Sequence, residues 1–493
     1  MRGLLVEGNA GSFNTYRGSL AYGDSLNSGI VFLASATLSD SKGHQELYYK
    51  EFDSPSTNNG LAKNVDAEGI KHLFGTLSWN GFTLQGAYSW RRKVIPTASF
   101  GTIFNDGGTY TLDELGLIDL KYERSVGAMS SLQSRFFFDD YNYHGDYRYE
   151  GTADSSSFSY VNKDMGKGEW LGTEWSYTTV LFGDHKLVAG TEYRANIRQD
   201  QLNYDEDPFY VNTDVRRKSA NWAVYIQDQF PILKNLSVNA GCRFDHYSTF
   251  GGTTNPRGGL LFNPWEGTVL KALYGQAFRS PNDYELYYDE SGAQKGNPSL
   301  QPERIRTAEI VVEQYIGEHH RVAASVFDSR ITNLINQELD PEDGLMVFRN
   351  VERIASRGVG LELESRLPLG VHVLASYSWQ QTEDLSNNIG LTNSPQNMAK
   401  VNINAPVSDE RIRLACEAQY MSGRKTLQGN WTDPFIVTNV TVSSQRLIDP
   451  LGFSISVYNI FDTIYSDPGA EEHVQDTIRQ DGRAFRVQIS LHL

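Results

Sequence analysis

The 493-residue chain has no hydrophobic run approaching the roughly 20 apolar residues a membrane-spanning helix requires, and its mean hydropathy is −0.45. That excludes a helical membrane protein. Cysteine is nearly missing: Cys242 and Cys416 are the only two, too few for a thiolate metal site and without ligand spacing. Each sits in an alternating stretch among apolar neighbours, so the expectation is two small free thiols on an apolar face rather than a disulfide. Positive charge is also short. The 44 Lys and Arg against 60 Asp and Glu leave a net charge of −16, which disfavours nucleic acid as a partner. The ten histidines are scattered, and no Gly-x-Ser-x-Gly frame surrounds a nucleophile, so the chain does not read as an enzyme. The adjacent His319 and His320 fall in an expected turn and read as an ordinary surface pair, so no metal site and no cofactor are expected.

What the chain does have is aromatic residues at 12%, 44 Gly and only 16 Pro, a balance that favours strands and turns. The last eleven residues alternate without a break. Phe485, Val487, Ile489, Leu491 and Leu493 lie on one face of an extended strand, and Ala484, Arg486, Gln488, Ser490 and His492 lie on the other. The same period recurs at Val359, Leu361 and Leu363, and again at Val371, Val373, Ala375, Tyr377 and Trp379, where an aromatic pair arrives at the position of an interfacial girdle. Charges and amides fill the opposite face on strand after strand: Lys400, Asn402 and Asn404; Arg411, Arg413 and Glu417; Arg243 and Asp245. A packed core does not absorb that many charges, whereas a wide wet lumen does.

Connection lengths point the same way. Short turns are expected at 24–27, 80–81, 126–129, 183–184, 231–235, 263–267, 317–319, 368–370, 407–409 and 447–450. Between them fall long connections at 40–66, 93–113, 144–168, 200–213, 278–302, 331–354, 382–394, 422–433 and 464–480, with brief exceptions at 11–13 and 249–255. This alternation is that of an up-and-down barrel with short periplasmic turns and long extracellular loops. The fold class expected is therefore all-β, one 22-stranded antiparallel transmembrane β-barrel over residues 1–493. The nine long connections carry essentially all of the net negative charge. Clusters such as Asp205, Glu206 and Asp207, or Glu338, Asp340, Glu342 and Asp343, offer hard oxygens of the kind calcium uses, but no calcium-loop spacing appears, and loop solubility accounts for them.

Four segments sharpen the class. Gly-Gln-Ala-Phe-Arg-Ser-Pro-Asn-Asp-Tyr-Glu-Leu-Tyr at 275–287 leaves a strand for a long loop, and Asn-Pro-Ser-Leu-Gln-Pro-Glu at 297–303 leads back. Tyr-Asn-Ile-Phe-Asp-Thr-Ile-Tyr at 458–465 and Gly-Arg-Ala-Phe at 482–485 frame the final strand. Together, in this order, they resemble the barrel of TonB-dependent receptors, outer-membrane proteins that import scarce nutrients such as iron chelates or cobalamin. Physically, Pro281, Pro298 and Pro302 end strands and shape a loop, Arg279 and Glu303 are placed to pair, and Asn459 and Asp462 shape the exit from the penultimate strand.

The resemblance implies a cell outer-membrane location and four partners: outer-membrane lipid and lipopolysaccharide, a small nutrient ligand, TonB through a plug, and the barrel assembly machinery. Complete members also carry an export signal, a TonB-engaging box and a globular plug. Residues 1–13 already read as the first barrel strand, so the expectation is the barrel portion alone, with the plug outside the chain. Alone it is expected to conduct ions without energy coupling, which keeps a passive porin-like channel or a truncated receptor as the rival reading. Large amphipathic rings suit a binding rim, so Tyr48, Tyr49, Phe52, Phe100, Phe104, Tyr284, Tyr287 and Tyr288 are the candidate ligand-binding residues. The cargo is not legible: siderophore, haem, cobalamin, nickel chelate and oligosaccharide all remain open.

Overall fold

A computed structural model describes residues 2–153, 156–290, 292–408 and 411–493. One sheet of 24 strands contains two two-residue appendages, Gln294–Lys295 and Ile389–Gly390; the other 22 are the staves of a closed antiparallel barrel. In chain order they are β1 Gly3–Gly11, β2 Thr15–Ser25, β3 Val31–Ser41, β4 Glu68–Trp79, β5 Phe82–Val94, β6 Tyr110–Ser125, β7 Ser130–Ala153 and β8 Ser156–Leu181. There follow β9 His185–Asp205, β10 Tyr210–Leu233, β11 Leu236–Tyr247, β12 Gly251–Phe262, β13 Thr268–Arg279, β14 Glu303–Ile316, β15 His320–Leu339 and β16 Met346–Leu367. The last six are β17 Val371–Asp384, β18 Asn397–Ser408, β19 Ile412–Met421, β20 Phe435–Ile448, β21 Leu451–Tyr458 and β22 Ala484–His492.

The terminal alternation closes the ring. β22 pairs with β1 from Leu5 opposite His492 to Gly11 opposite Arg486. Leu4 and Leu493 exchange backbone hydrogen bonds of 2.6 and 2.7 Å. On the lumen side of this seam the Gln488 amide donates to Glu7 at 2.7 Å. On the other side Phe485, Val487 and Ile489 are 54%, 45% and 53% exposed, as side chains meant for lipid rather than water must be. Tyr377 and Trp379 share that outward face and are exposed, in keeping with a girdle.

The charged faces point into the lumen and satisfy one another. Arg243 reaches Glu192 at 2.9 Å and Asp245 at 2.8 Å, while Lys271 and Arg321 meet on Glu313 at 2.8 and 2.9 Å. A wall this wide leaves no packed centre. The two buried apolar clusters among the described residues lie at the extracellular rim instead, where the connections pack on the upper ends of the strands. At the periplasmic rim the connections are tight. Asn80 and Gly81 take φ of 49° and 84°, the mirror-image turn that suits two-residue hairpins; a Cβ on Gly81 would fall 2.4 Å from the Glu123 carbonyl oxygen. Cys242 and Cys416 are free thiols in β11 and β19.

Three of the expected long loops are corrected by the structure. The 144–168 segment is the upper part of the β7–β8 hairpin, whose tip at 154–155 lies outside the described residues. The 200–213 segment is mostly β9 and β10, which leaves 206–209 as the connection, and 331–354 is mostly β15 and β16, which leaves 340–345. These extensions rise above the apolar band, so the apolar and polar alternation fades while the backbone ladder continues. The turn expected at 407–409 reaches past the described residues at its last position.

Candidate functional site

The signature between β13 and β14 folds into a strap over the barrel mouth. Pro281 stops the strand, and Asn282 caps a short helix, α1 (Asp283–Tyr287): its side-chain oxygen accepts from the Glu285 amide at 2.9 Å, and the Glu285 carboxylate accepts from the Asn282 amide at 2.8 Å. Arg279 holds both ends. Its guanidinium forms a fork on Glu303 at 2.8 and 2.7 Å and reaches the buried Glu285 at 2.9 Å. Glu303 in turn accepts from the Ile335 amide at 2.9 Å. The pairing expected from the sequence is therefore present, and it links the strap's exit, its return and the β15–β16 hairpin.

Further along, Leu286 and Leu300, each 2% exposed, pack on Ile335. The Asn297 amide donates to the Phe348 carbonyl at 2.8 Å, and Lys295 lies 2.6 and 2.7 Å from Asp340 and Asp343. The opposite edge docks on β9 and β10. Gln201 donates to the Asp283 carbonyl at 2.9 Å, Gln199 to the Asp283 carboxylate, Thr213 to the Asp289 carbonyl, and the Arg217 guanidinium lies 4.3 Å over the Tyr287 ring. Because β11 and β12 are joined by only 248–250, the strap spans a low notch between two tall hairpins.

Beside the strap, the inward face of the tall hairpins is a tyrosine and amide wall. Tyr141, Tyr143, Tyr147 and Tyr149 alternate on β7, with Asn162 and Asp164 on β8 and Asn203 on β9. The Tyr143 and Tyr147 hydroxyls are 2.6 Å apart, and the Asn162 amide donates to Asn203 at 2.6 Å. Burial holds the Tyr143, Tyr149 and Tyr288 hydroxyls well above the usual phenol range. Desolvation also raises Asp164 and Glu290, and raises Asp283 to about 6 despite the nearby Arg217. Sequence reasoning missed this wall by treating it as loop. The spacing 141, 143, 147 and 149 was the available signal.

The eight candidate rings divide into two groups. In the first, the connections 42–67 and 95–109 share a small core of Tyr49, Ala62, Val65, Val94, Ala98 and Phe104, with Phe52 stacked on Phe104 at 4.3 Å. Phe100 stands 58% exposed on this platform and meets Tyr147 edge-on at 5.7 Å, which joins the platform to the tyrosine wall. Tyr48 is exposed and donates to Asp53 at 2.9 Å. In the second group, Tyr288 is buried, Tyr287 lies under Arg217, and Tyr284 is 44% exposed with its ring 4.6 Å from Tyr288. Only Tyr48, Phe100 and Tyr284 of the eight present substantial ring surface outward.

The second signature closes the mouth from the other side. Asn459, at φ 47°, accepts from the Thr463 amide at 2.8 Å and donates to its carbonyl at 2.9 Å, while Asp462 accepts from the Arg483 amide at 2.7 Å. These bonds turn the chain out of β21 and back into β22. Beneath lies a recess of 650 Å³ in the lumen wall, lined among others by Arg424, Phe435, Tyr458, Tyr465 and Arg486. The Phe100 amide donates to the Glu472 carbonyl at 2.7 Å, so the connection from β21 to β22 also anchors the platform.

Comparison with known proteins agrees with this architecture. The pyoverdine outer membrane receptor FpvA of Pseudomonas aeruginosa matches all of the chain and 79% of its own length, with a TM-score of 0.79 at 15% identity. The vitamin B12 transporter BtuB of Vibrio vulnificus is 23% identical over 463 residues, 91% of this chain and 69% of that protein. An iron-regulated outer membrane virulence protein of Vibrio cholerae is 21% identical, and the match covers 64% of this chain and 52% of that protein. Such relatives are transport receptors rather than enzymes. The family model for the TonB dependent receptor-like β-barrel matches residues 8–460, and the chain belongs to that family, whose place is the outer membrane.

Proposed function

We propose that this barrel is the ligand-gathering wall of an uptake receptor for a scarce nutrient of the cobalamin or iron-chelate class, with energy coupling through a plug seated in the lumen. The observation that carries the reading is the construction of the mouth. Strap and platform converge on one rim beside the tyrosine wall, and they expose the Phe100 ring face and the phenols of Tyr48 and Tyr284 there, groups suited to a large amphipathic ligand. The names of the relatives, a vitamin B12 transporter and a pyoverdine receptor, support that ligand class. Ring exposure narrows the eight candidates to Phe100, Tyr284 and Tyr48 as contact residues. The others hold the surfaces that present them.

Equilibrium dialysis of the chain in lipid nanodiscs against cyanocobalamin and against ferric enterobactin tests this. Saturable binding of one of them is expected, and Phe100→Ala with Tyr284→Ala should weaken it by about 10-fold, or about 1.4 kcal/mol. Binding that survives the double substitution unchanged would remove these rings from the site.

A further inference from the structure

The outward face of β14, β15 and β16 carries five exposed arginines in a protein whose net charge is −16. Register places them together. Arg306 pairs with Arg330, Arg304 with Thr332 and Thr332 with Arg353, while Asp328 pairs with Arg357. With strands about 4.8 Å apart and a rise of about 3.4 Å per residue, the five Cα positions fit within about 10 by 14 Å. Two carboxylates share this face among the described residues. Asp328 is taken by Arg330 at 3.1 Å and Arg357 at 2.8 Å, and Glu383, opposite Ala355, accepts from Gln381. Arg304, Arg306 and Arg353 have no ion pair among the described residues.

Height identifies the occupant. One register step toward the periplasm the outward residues become Ala308, Ile310, Val326, Val359 and Trp379, so the arginines stand at the upper edge of the apolar band. Directly below and continuous with them runs an apolar groove of 660 Å³ between β11 and β15, where Ala240, Gly258 and Ala272 leave a channel flanked by Leu260, Ile310 and Val326, with Asp328 at its top. On β7 to β9, by contrast, outward cations are paired: Lys163 with Asp146, Lys167 with Glu169, and Arg198 with Asp200, and on β4 and β5 the outward Lys71 and Arg92 lie over the Trp90 and Tyr110 rings. Unpaired guanidiniums over an apolar channel match one ligand chemistry, a phosphate ester on an acyl chain.

We propose that this face is a specific site for a phosphorylated lipid of the outer leaflet, with its phosphates on Arg304, Arg306 and Arg353 and an acyl chain in the groove beneath. Arg330 and Arg357, held by Asp328, frame the site. The reading rests on residence in the outer membrane and is independent of the imported ligand. It also explains why an acidic molecule concentrates arginine on this one arc.

The test is native mass spectrometry of the chain released from phosphatidylcholine nanodiscs doped with diphosphorylated lipid A or with its dephosphorylated form, in EDTA so that no divalent cation bridges phosphates. The expected result is retention of the phosphorylated lipid at least ten times that of the dephosphorylated one, abolished by R304Q/R306Q/R353Q and unchanged by K163Q/K167Q on the far arc. A heat-dependent shift in gel mobility confirms that each variant is folded. Equal retention of the two lipids, or retention indifferent to the triple substitution, would overturn the proposal. Loss of retention with inorganic phosphate bound equally well in its place would overturn the lipid assignment.

Discussion

At the scale of single residues, much of the mouth depends on Arg279. Its two partners, Glu285 and Glu303, are only 9% and 14% exposed at their side chains, so removing the guanidinium strands two largely buried carboxylates. Arg279→Ala should loosen the strap by about 2 kcal/mol and leave the barrel folded, seen as proteolytic cutting between 280 and 302 in a chain that still shows heat-dependent gel mobility. Asp283 sets a pH dependence. Desolvation raises its carboxyl to about 6, above the ordinary 3.8, and Asp164 and Glu290 shift in the same direction. The docked strap then binds protons more tightly than the undocked one, so its stability is greatest below the undocked pKa values and falls as pH rises through about 6. Hydrogen exchange across 283–300, corrected for intrinsic rates, should be slower at pH 5 than at pH 7.5, and Asp283→Asn should reduce the difference.

At the scale of elements, strand alternation was legible wherever one face meets lipid and the other a wet lumen. That is why β16, β17 and β22 could be read residue by residue. The signal weakens where a strand rises clear of the membrane, because its outer face then lacks the apolar stripe that lipid selects. The segments 144–168, 200–213 and 331–354 were misread for this reason. The strap shows the complementary limit. Its residues were conspicuous as a motif, and the pairing of Arg279 with Glu303 was anticipated, but its docking partners on β9, β10, β15 and β16 come from distant parts of the chain. No local pattern encodes those contacts. The burial of Tyr49, Phe104 and Tyr288 follows from the same long-range packing, so residue type alone placed them at a rim when they form its support. Because Leu300 is 2% exposed and fills the strap's small core with Leu286 and Ile335, Leu300→Ala should cost about 2–4 kcal/mol of strap stability. Hydrogen exchange should report this as faster opening across 283–300 with unchanged protection in β17 to β22; loss of protection throughout the barrel would show that strap and wall are a single cooperative unit.

At the scale of the whole molecule, the barrel divides labour by height. The periplasmic rim is closed by tight turns, the middle offers lipid an apolar band and the lumen a set of paired charges, and the extracellular rim holds both buried apolar clusters and the exposed rings. The mouth proposed to gather ligand therefore sits on a wall whose own stability comes from backbone pairing around a closed ring. The claim on which the functional account turns is that this mouth, built by strap, platform and tyrosine wall, is where a nutrient is held. Hydrogen exchange of the chain in nanodiscs, with and without cyanocobalamin and with and without ferric enterobactin, tests it most directly. The account predicts that one of the two slows exchange in both 283–300 and 97–104 while leaving the turns at 80–81 and 317–319 unchanged. Protection confined to those periplasmic turns, or none at the mouth with either compound, would contradict it.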